Sequence, residues 1–383
     1  MQKKIIALAV AGLVSGAAFA QTNVTVYGTA DATFDNVKAS GATTTTATSN
    51  AESRNRVTMN SSFIGFKGSE DLGGGLKALF QFETGVGENT SSGTALASGN
   101  LTTSAAALGW TNRDTFVGLS GGFGTLVAGN LTGPTRGFGA AMDVNSGSTG
   151  IGANSAMLGK LGGGSGASLF DQRISNAVAY TSPTFSGFGA TVGYMANENK
   201  NNGSAPLENV SAWDLGLAYA NGPIMVRLTN ERVKDKGTTA PGKATDTRFG
   251  GKFTDAGWSV GLLWDRVKVE GLGLNVKRTA WFLPVTFNVS AAGKIIGQYV
   301  SAGDVTNVAN SGAKMFVLGY EHSLSKRTVV KALWSQISNE ANASYDYMYG
   351  VTDGRSNTTG IGVSGFGNGA DPKGFSVGLR HTF

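Results

Sequence analysis

The chain has 383 residues, among them 58 Gly and 7 Pro but no Cys, and a formal net charge of +6. Without Cys it has neither disulfide staples nor thiolate metal sites, and Gly stands at about twice its usual share. Past the amino-terminal leader no apolar run approaches the ~18 residues of a membrane helix, which excludes a helix-bundle membrane protein.

The chain opens MQKKIIALAVAGLVSGAAFA, with Lys3 and Lys4, an apolar stretch from Ile5 to Val14, and Ala18-Phe19-Ala20 before Gln21. That is the pattern of a cleaved secretory signal, residues 1–20. The apolar stretch is too short for an anchor helix. Cleavage leaves residues 21–383 as one domain, with 29 Lys and Arg against 25 Asp and Glu. No Pro-rich or charged linker divides it.

Seven short turns then follow in order. They are EDLGGG (Glu70 to Gly75), GGFG (Gly121 to Gly124), SPTFSG (Ser182 to Gly187), ANG (Ala220 to Gly222), TDAG (Thr254 to Gly257), NVSAAG (Asn288 to Gly293) and SLSKR (Ser323 to Arg327). Each is Gly-, Asn- or Ser-rich and flanked by alternating segments, the hairpin signal. Longer polar connections separate them, among them Lys38 to Ser53, Asn197 to Asn209 and about Ser338 to Asp371. A closed up-and-down barrel with both termini at one end has one more long loop than short turn. Seven turns therefore imply eight long loops and sixteen antiparallel strands. Membrane barrels place short turns on the periplasmic side and long loops outside, and sixteen strands enclose water.

The strands alternate. Trp213, Leu215, Leu217 and Tyr219 share one face of SAWDLGLAYA, and Trp258, Val260, Leu262 and Trp264 share one face of GWSVGLLWDR. Leu76, Ala78, Phe80 and Phe82 do the same in LKALFQFE. Trp and Tyr bound these apolar faces, as girdles at the two membrane interfaces require. A charge at the lipid midplane would cost about 2–4 kcal/mol, so charges of the opposite parity face the lumen. Parity gives the lumenal bases Lys67, Lys77, Arg173, Arg227, Arg248, Lys252, Lys294, Lys331 and Arg380, and the lumenal acids Glu83, Asp214, Glu231, Asp265 and Glu321. Arg136, Asp143, Lys160 and Asp171 fall on the third long loop, about Thr132 to Gln172, and Arg173 enters the wall right after it. Nine wall bases against five acids predict a modest anion preference. The sequence ends FSVGLRHTF, alternating up to Phe383, which reads as a strand.

Ser61 to Glu83, Asn112 to Asn130, Arg173 to Tyr194, Tyr320 to Trp334 and Val377 to Phe383 resemble, in order, successive strands of the general porins of betaproteobacterial and neisserial type. The likeness covers nearly the whole mature chain apart from the loops. It implies passive passage of ions and small hydrophilic solutes through the cell outer membrane, in homotrimers among outer-membrane lipids and lipopolysaccharide, without a cofactor. It further implies a third loop folded into the channel, and a terminal Phe383 read as an address by the barrel assembly machinery. The chain departs from the pattern at Phe63 and Ala179, where such porins commonly carry bases. The third loop also lacks the proline–acid–phenylalanine–glycine motif of some members.

Other functions find less support. His322 and His381 lie beside a turn and the chain end, and neither has a nucleophile in a recognisable motif. GLSGG at Gly118 to Gly122 is not a nucleophile elbow. GIGVSG at Gly360 to Gly365 lacks the βαβ context of a dinucleotide site. A barrel hydrolase is the enzyme alternative. Bases scattered through strands do not make a nucleic-acid surface, and no metal-ligand loop is legible. An adhesin or receptor scaffold acting through Ala39 to Ser53 and Ser338 to Asp371 is the second reading, because long loops on a rigid scaffold suit binding.

Overall fold

The computed structural model describes residues 23–43, 50–86, 113–145, 150–164, 168–196, 210–234, 242–271, 274–348, 351 and 366–383. The leader, Asn197 to Asn209 and the GIGVSG segment lie outside them. Sixteen antiparallel strands close into a barrel. They are β1 (Asn23–Ser40), β2 (Ala51–Met59 and Phe63–Gly73), β3 (Leu76–Gly85), β4 (Thr115–Gly121), β5 (Gly124–Leu131), β6 (Ile174–Thr181), β7 (Phe188–Met195) and β8 (Ser211–Asn221). The second half comprises β9 (Ile224–Lys234), β10 (Gly242–Thr254), β11 (Trp258–Gly271), β12 (Leu274–Asn288), β13 (Gly293–Ala302), β14 (Ala313–Ser323), β15 (Thr328–Asn339) and β16 (Asp371–Thr382).

Strand β2 runs in two segments, Ala51–Met59 and Phe63–Gly73, which pair in turn with the two halves of β1. The break is built from polar side chains. Asn60 donates to Asp31 at 3.2 Å and to Thr33 at 2.9 Å, and the Asp31 amide donates to the Ser62 hydroxyl at 2.9 Å. Strands β1 and β16 close the ring from Thr29↔Thr382 to Ser40↔Asp371. Gly28 and Phe383 then exchange backbone hydrogen bonds at 3.1 Å. The Phe383 ring lies over Gly28, where a Cβ would approach it within 2.6 Å.

All seven predicted turns join consecutive strands on one rim. The expectation of eight long loops needs one correction. Gly271 of β11 pairs with Leu274 of β12, so only two residues separate these strands. Their 14 and 15 residues exceed the 9–11 that cross a membrane, so the hairpin itself stands above the lipid.

Alternation decides which face is apolar. Trp213, Leu217, Leu262, Trp281, Phe316 and Phe375 point outward and are 46–59% exposed. A β-barrel leaves no sheet edge, so every wall amide is paired inside the hydrocarbon. The inner face differs from a uniformly wet lumen. Leu263, Phe282, Ile296, Val300, Met315 and Val317 point inward from β11–β14 and are fully buried. They pack with Phe138, Met142, Ile151 and Met157 of the third loop and with Tyr345, Tyr347, Val351 and Phe366 of the last. On this side the described interior is therefore an ordinary apolar core. The last loop joins the third through a short parallel pairing of Ser344–Tyr345 with Gly163–Gly164. Its described part is folded inward rather than standing out as an antenna.

Candidate functional site at the pore constriction

The third loop begins as a helix, α1 (Pro134–Met142), with Pro134 opening its first turn. Gly133 offers no side-chain cap, so the wall supplies one. Asp214 of β8 accepts the Thr135 amide at 3.0 Å and the Thr135 hydroxyl at 2.7 Å. At the other end Lys252 of β10 donates to the Ala141 carbonyl at 2.7 Å. A carboxylate at the helix N-terminus and an ammonium at its C-terminus complement the unsatisfied backbone groups and the helix dipole. Two residues that parity placed in the lumen thus hold α1 against β8–β10.

A buried ion network carries the rest of the loop. Arg248 of β10 forks onto Asp171 with both Nη–Oδ distances at 2.9 Å. It also meets Asp246 at 2.9 Å and Asp265 at 3.2 Å, and donates to the Thr135 carbonyl at 3.1 Å. Arg278 of β12 reaches Asp265 at 2.7 Å and the carbonyls of Lys160 and Met157 at 2.6 and 3.0 Å. Gly159 sits inside this network with φ +71°, and a Cβ there would come within 2.2 Å of the Ser168 hydroxyl. Gln298 of β13 binds Asp143 at 3.0 Å and the Gly152 carbonyl at 3.1 Å.

The opposite wall carries further charge, most of it in partly buried pairs. Arg113, just before β4, contacts Glu83 at 3.4 Å and lies 4.6 Å above the Phe63 ring. Its guanidinium therefore lies over Phe63, a wall position that itself carries no charge. Arg173 pairs with Asp114 at 3.2 Å. Arg136 of α1 donates to the Asp171 carbonyl, and burial beside Arg173 and Arg113 lowers it to about 10. It remains charged at neutral pH. Tyr27 donates to Glu83 at 2.8 Å, and Lys67 stands 4.6 Å over the Tyr27 ring.

The predicted wall charges thus fall into two sets. All five acids, Glu83, Asp214, Glu231, Asp265 and Glu321, are at most 7% exposed. Among the bases, Arg248 and Lys331 are buried, Lys331 with Asp31 at 2.7 Å. Lys67 and Lys77 are exposed. Lys294 is partly open although paired with Glu321 at 2.7 Å, and Arg380 is partly open near Asp31 at 3.8 Å. Arg227 is half-buried and Lys252 is committed to α1. The parity list passed over Asp31, Asp246 and Arg278. The same alternation marks them, since Phe34, Phe249 and Trp281 fix the outward parity of their strands. Arg113 and Asp114 precede a strand, where alternation has no reach.

Loop docking carries a pH signature. Burial lifts Asp143 and Asp346 to about 6, against the hydrogen bonds from backbone amides that hold each carboxylate. Burial lowers Lys160 to about 7, with Asp346 and Asp171 opposing it. Carboxyls whose folded value is raised bind protons better when docked, so their contribution is greatest in acid and is lost as pH rises through about 6. The lysine favours the docked state when neutral, so docking strengthens again above about 7. Open-channel current noise in bilayer recordings should therefore peak near pH 6–7, and Lys160→Met should abolish the decline on the alkaline side. Noise that changes in one direction only from about pH 4 to 9 would contradict this assignment.

A closed sixteen-stranded barrel with lipid outside, charge inside and a loop folded against the inner wall is a membrane channel of the porin class. The Gram-negative porin family model matches residues 7–342, and the chain belongs to that family. It is 30% identical over 391 residues to outer membrane porin protein 32 of Delftia acidovorans, covering 100% of both chains. It is 26% identical to an outer membrane porin protein of Bordetella pertussis, covering 95% of this chain and 99% of that one. Among solved structures, an anion-selective porin from Comamonas acidovorans superposes with a TM-score of 0.75 at 26% identity, covering 95% of this chain and 100% of the other. The protein is an outer-membrane diffusion channel, not an enzyme.

Proposed function

We propose that this porin passes small hydrophilic solutes passively with a modest preference for anions, as a homotrimer of separate pores. One observation carries the selectivity: the wall acids are sequestered under loops or in buried pairs, whereas Lys67, Lys77, Lys294 and Arg380 keep access to solvent. Charges in a narrow lumen act strongly because low-dielectric walls focus their field. The similar Comamonas porin is itself described as anion-selective. For the trimer, the outward face of β1 carries the small residues Ala30 and Ala32, which permit close approach of a neighbouring barrel. Outward exposure of Phe383 suits recognition by the assembly machinery.

Bilayer recordings in a salt gradient test both parts. Reversal potentials should show anions favoured at low ionic strength, fading as the Debye length falls to ~3 Å at 1 M. Current should close in three equal steps. Replacing Arg113 and Arg173 together by Gln should shift the permeability ratio severalfold toward cations, because Glu83 and Asp114 then lose the cations that neutralise them. Clear cation preference of the unmodified channel would reject the reading.

A further inference from the structure

The inner wall of β4–β6 carries hydrocarbon that faces the channel. Val117, Leu126 and Val178 point outward and are 43–58% exposed, so Phe116, Val127 and Ala179 of the opposite parity point inward. All three are partly open to solvent. They pack with Leu131, Ile174, Ala177 and Met195 in a cluster whose described members all belong to wall strands. Among the described residues no loop side chain joins it, unlike the core beneath the two inward loops.

Register sets the three side by side. Val127 stands opposite Gly118 on one strand and Ala179 on the other, and Phe116 stands opposite Gly129. Ala179 in turn faces Gly193. The glycines keep the surface flat: a Cβ at Gly118 would come within 2.7 Å of the Val127 side chain. Phe116, Val127 and Ala179 thus form a shallow floor that offers water neither donor nor acceptor. An apolar body that displaces this water is favoured there.

Positive charge borders the floor. Gln81 stands between Phe116 and Lys67, so the Lys67 backbone lies two strand spacings, ~10 Å, from that of Phe116. Lys67 is exposed and pairs with no acid among the described residues. Its ammonium rests 4.6 Å over the Tyr27 ring. That ring lies across Gly65, where a Cβ would meet it at 2.7 Å, and its hydroxyl is tied to Glu83. The lysine is thereby steadied on the wall with its charge toward the channel. Toward the long-loop rim, Arg113 and Arg173 with Arg136 beside them set three guanidinium groups against the side chains of Glu83 and Asp114. The field over the floor is positive.

We propose that this wall is a subsite for small ring-bearing organic anions. A carboxylate meets Lys67 while the ring lies over Phe116, Val127 and Ala179. A flat ring matches a flat floor, and contact with the Phe116 ring adds to the burial of hydrocarbon. The fixed charge beside the floor disfavours cations of the same shape. The inference deepens the anion-favouring reading above and rests on it, adding which anions the wall retains.

The test uses the full channel in planar bilayers at neutral pH, with chloride as the current carrier. Benzoate is the probe; acetate has the charge without the ring, and benzamide the ring without the charge. Benzoate should reduce the chloride current saturably, with a half-blocking concentration about tenfold below that of acetate, and benzamide should block no better than acetate. Val127→Ser combined with Ala179→Ser removes the apolar floor and no charge, and should bring benzoate to the level of acetate. Lys67→Gln should raise the half-blocking concentration of benzoate severalfold. Leu126→Ala, which faces lipid from β5, should leave the block by benzoate as it was. Equal block by benzoate and acetate, block by benzamide matching that by benzoate, or undiminished block of the double Ser variant would each overturn the subsite. If chloride is still preferred over potassium in plain salt, such a result overturns the subsite alone; cation preference in plain salt overturns the anion reading with it. Comparing the three probes on the unmodified channel decides the matter even if the double variant fails to fold.

Discussion

Replacing Arg248 by Met is expected to free the third loop from the wall and raise the single-channel conductance. Arg248 is fully buried and holds Asp171, Asp246 and Asp265 at once. Removing one partner of a buried ion pair costs about 3–5 kcal/mol, because the other charge stays behind without solvent. Here Asp171 and Asp246 stay behind without a cation, and Asp265 keeps only Arg278. Asp246 and Asp265 belong to wall strands and cannot leave, whereas Asp171 belongs to the loop and can. Undocking of the loop is the route by which all three regain water. The strand ladder contains no Arg248 side chain, so the barrel itself should still form. Conductance should rise, with added sub-level noise. Arg248→Lys should restore the closed loop only in part, since an ammonium cannot fork onto Asp171 and also reach Asp265. A Met variant that runs as a folded barrel on a gel without heating and conducts like the parent would refute the anchor.

The last loop should respond as strongly to Tyr347→Ala. The Tyr347 ring is fully buried in the core shared by the two inward loops, and its hydroxyl donates to the Ser335 carbonyl at 2.8 Å and toward that of Pro372 at 3.3 Å. Truncating a buried aromatic costs about 3–5 kcal/mol, and among the described residues of the loop only Tyr345 and Phe366 are buried rings of comparable size. Tyr347→Phe removes only the hydrogen bonds, worth about 1 kcal/mol each. Protease added to intact cells should cut the last loop in the Ala variant and spare it in the parent and the Phe variant. Equal resistance in all three would show that the loop is held by something other than this core. A loop committed to the lumen also has less freedom for the adhesin role that its length suggested.

Much of the barrel was legible before any coordinates. Short turns and period-two segments are local properties, and hairpin pairing needs only neighbouring strands. The seven turns and the outward faces of Trp213, Trp258 and Leu262 followed from that alone. The short β11–β12 connection departs from the expected count of long loops for a related reason. Glu270, Asn275 and Lys277 are polar, yet they sit on strands that outrun the membrane, where polarity no longer marks a loop.

The charged interior divides less evenly. Arg227, Arg248, Lys331 and Arg380 share one parity signature, yet Arg248 and Lys331 are buried while Arg227 and Arg380 keep partial exposure. Alternation reports the side of the wall on which a residue stands; it carries no information about what covers it. Cover comes from loops 77 residues away in sequence for Arg248 and Asp171, and 183 away for Gly162 and Tyr345. Those loops have no period to read. The sequence by itself therefore determined the barrel, its strand count and the inward or outward sense of each wall residue, because a pleated strand presents its two faces by local geometry. Only the tertiary structure decided which charges meet water in the channel, because that depends on long-range packing of two inward loops against the wall.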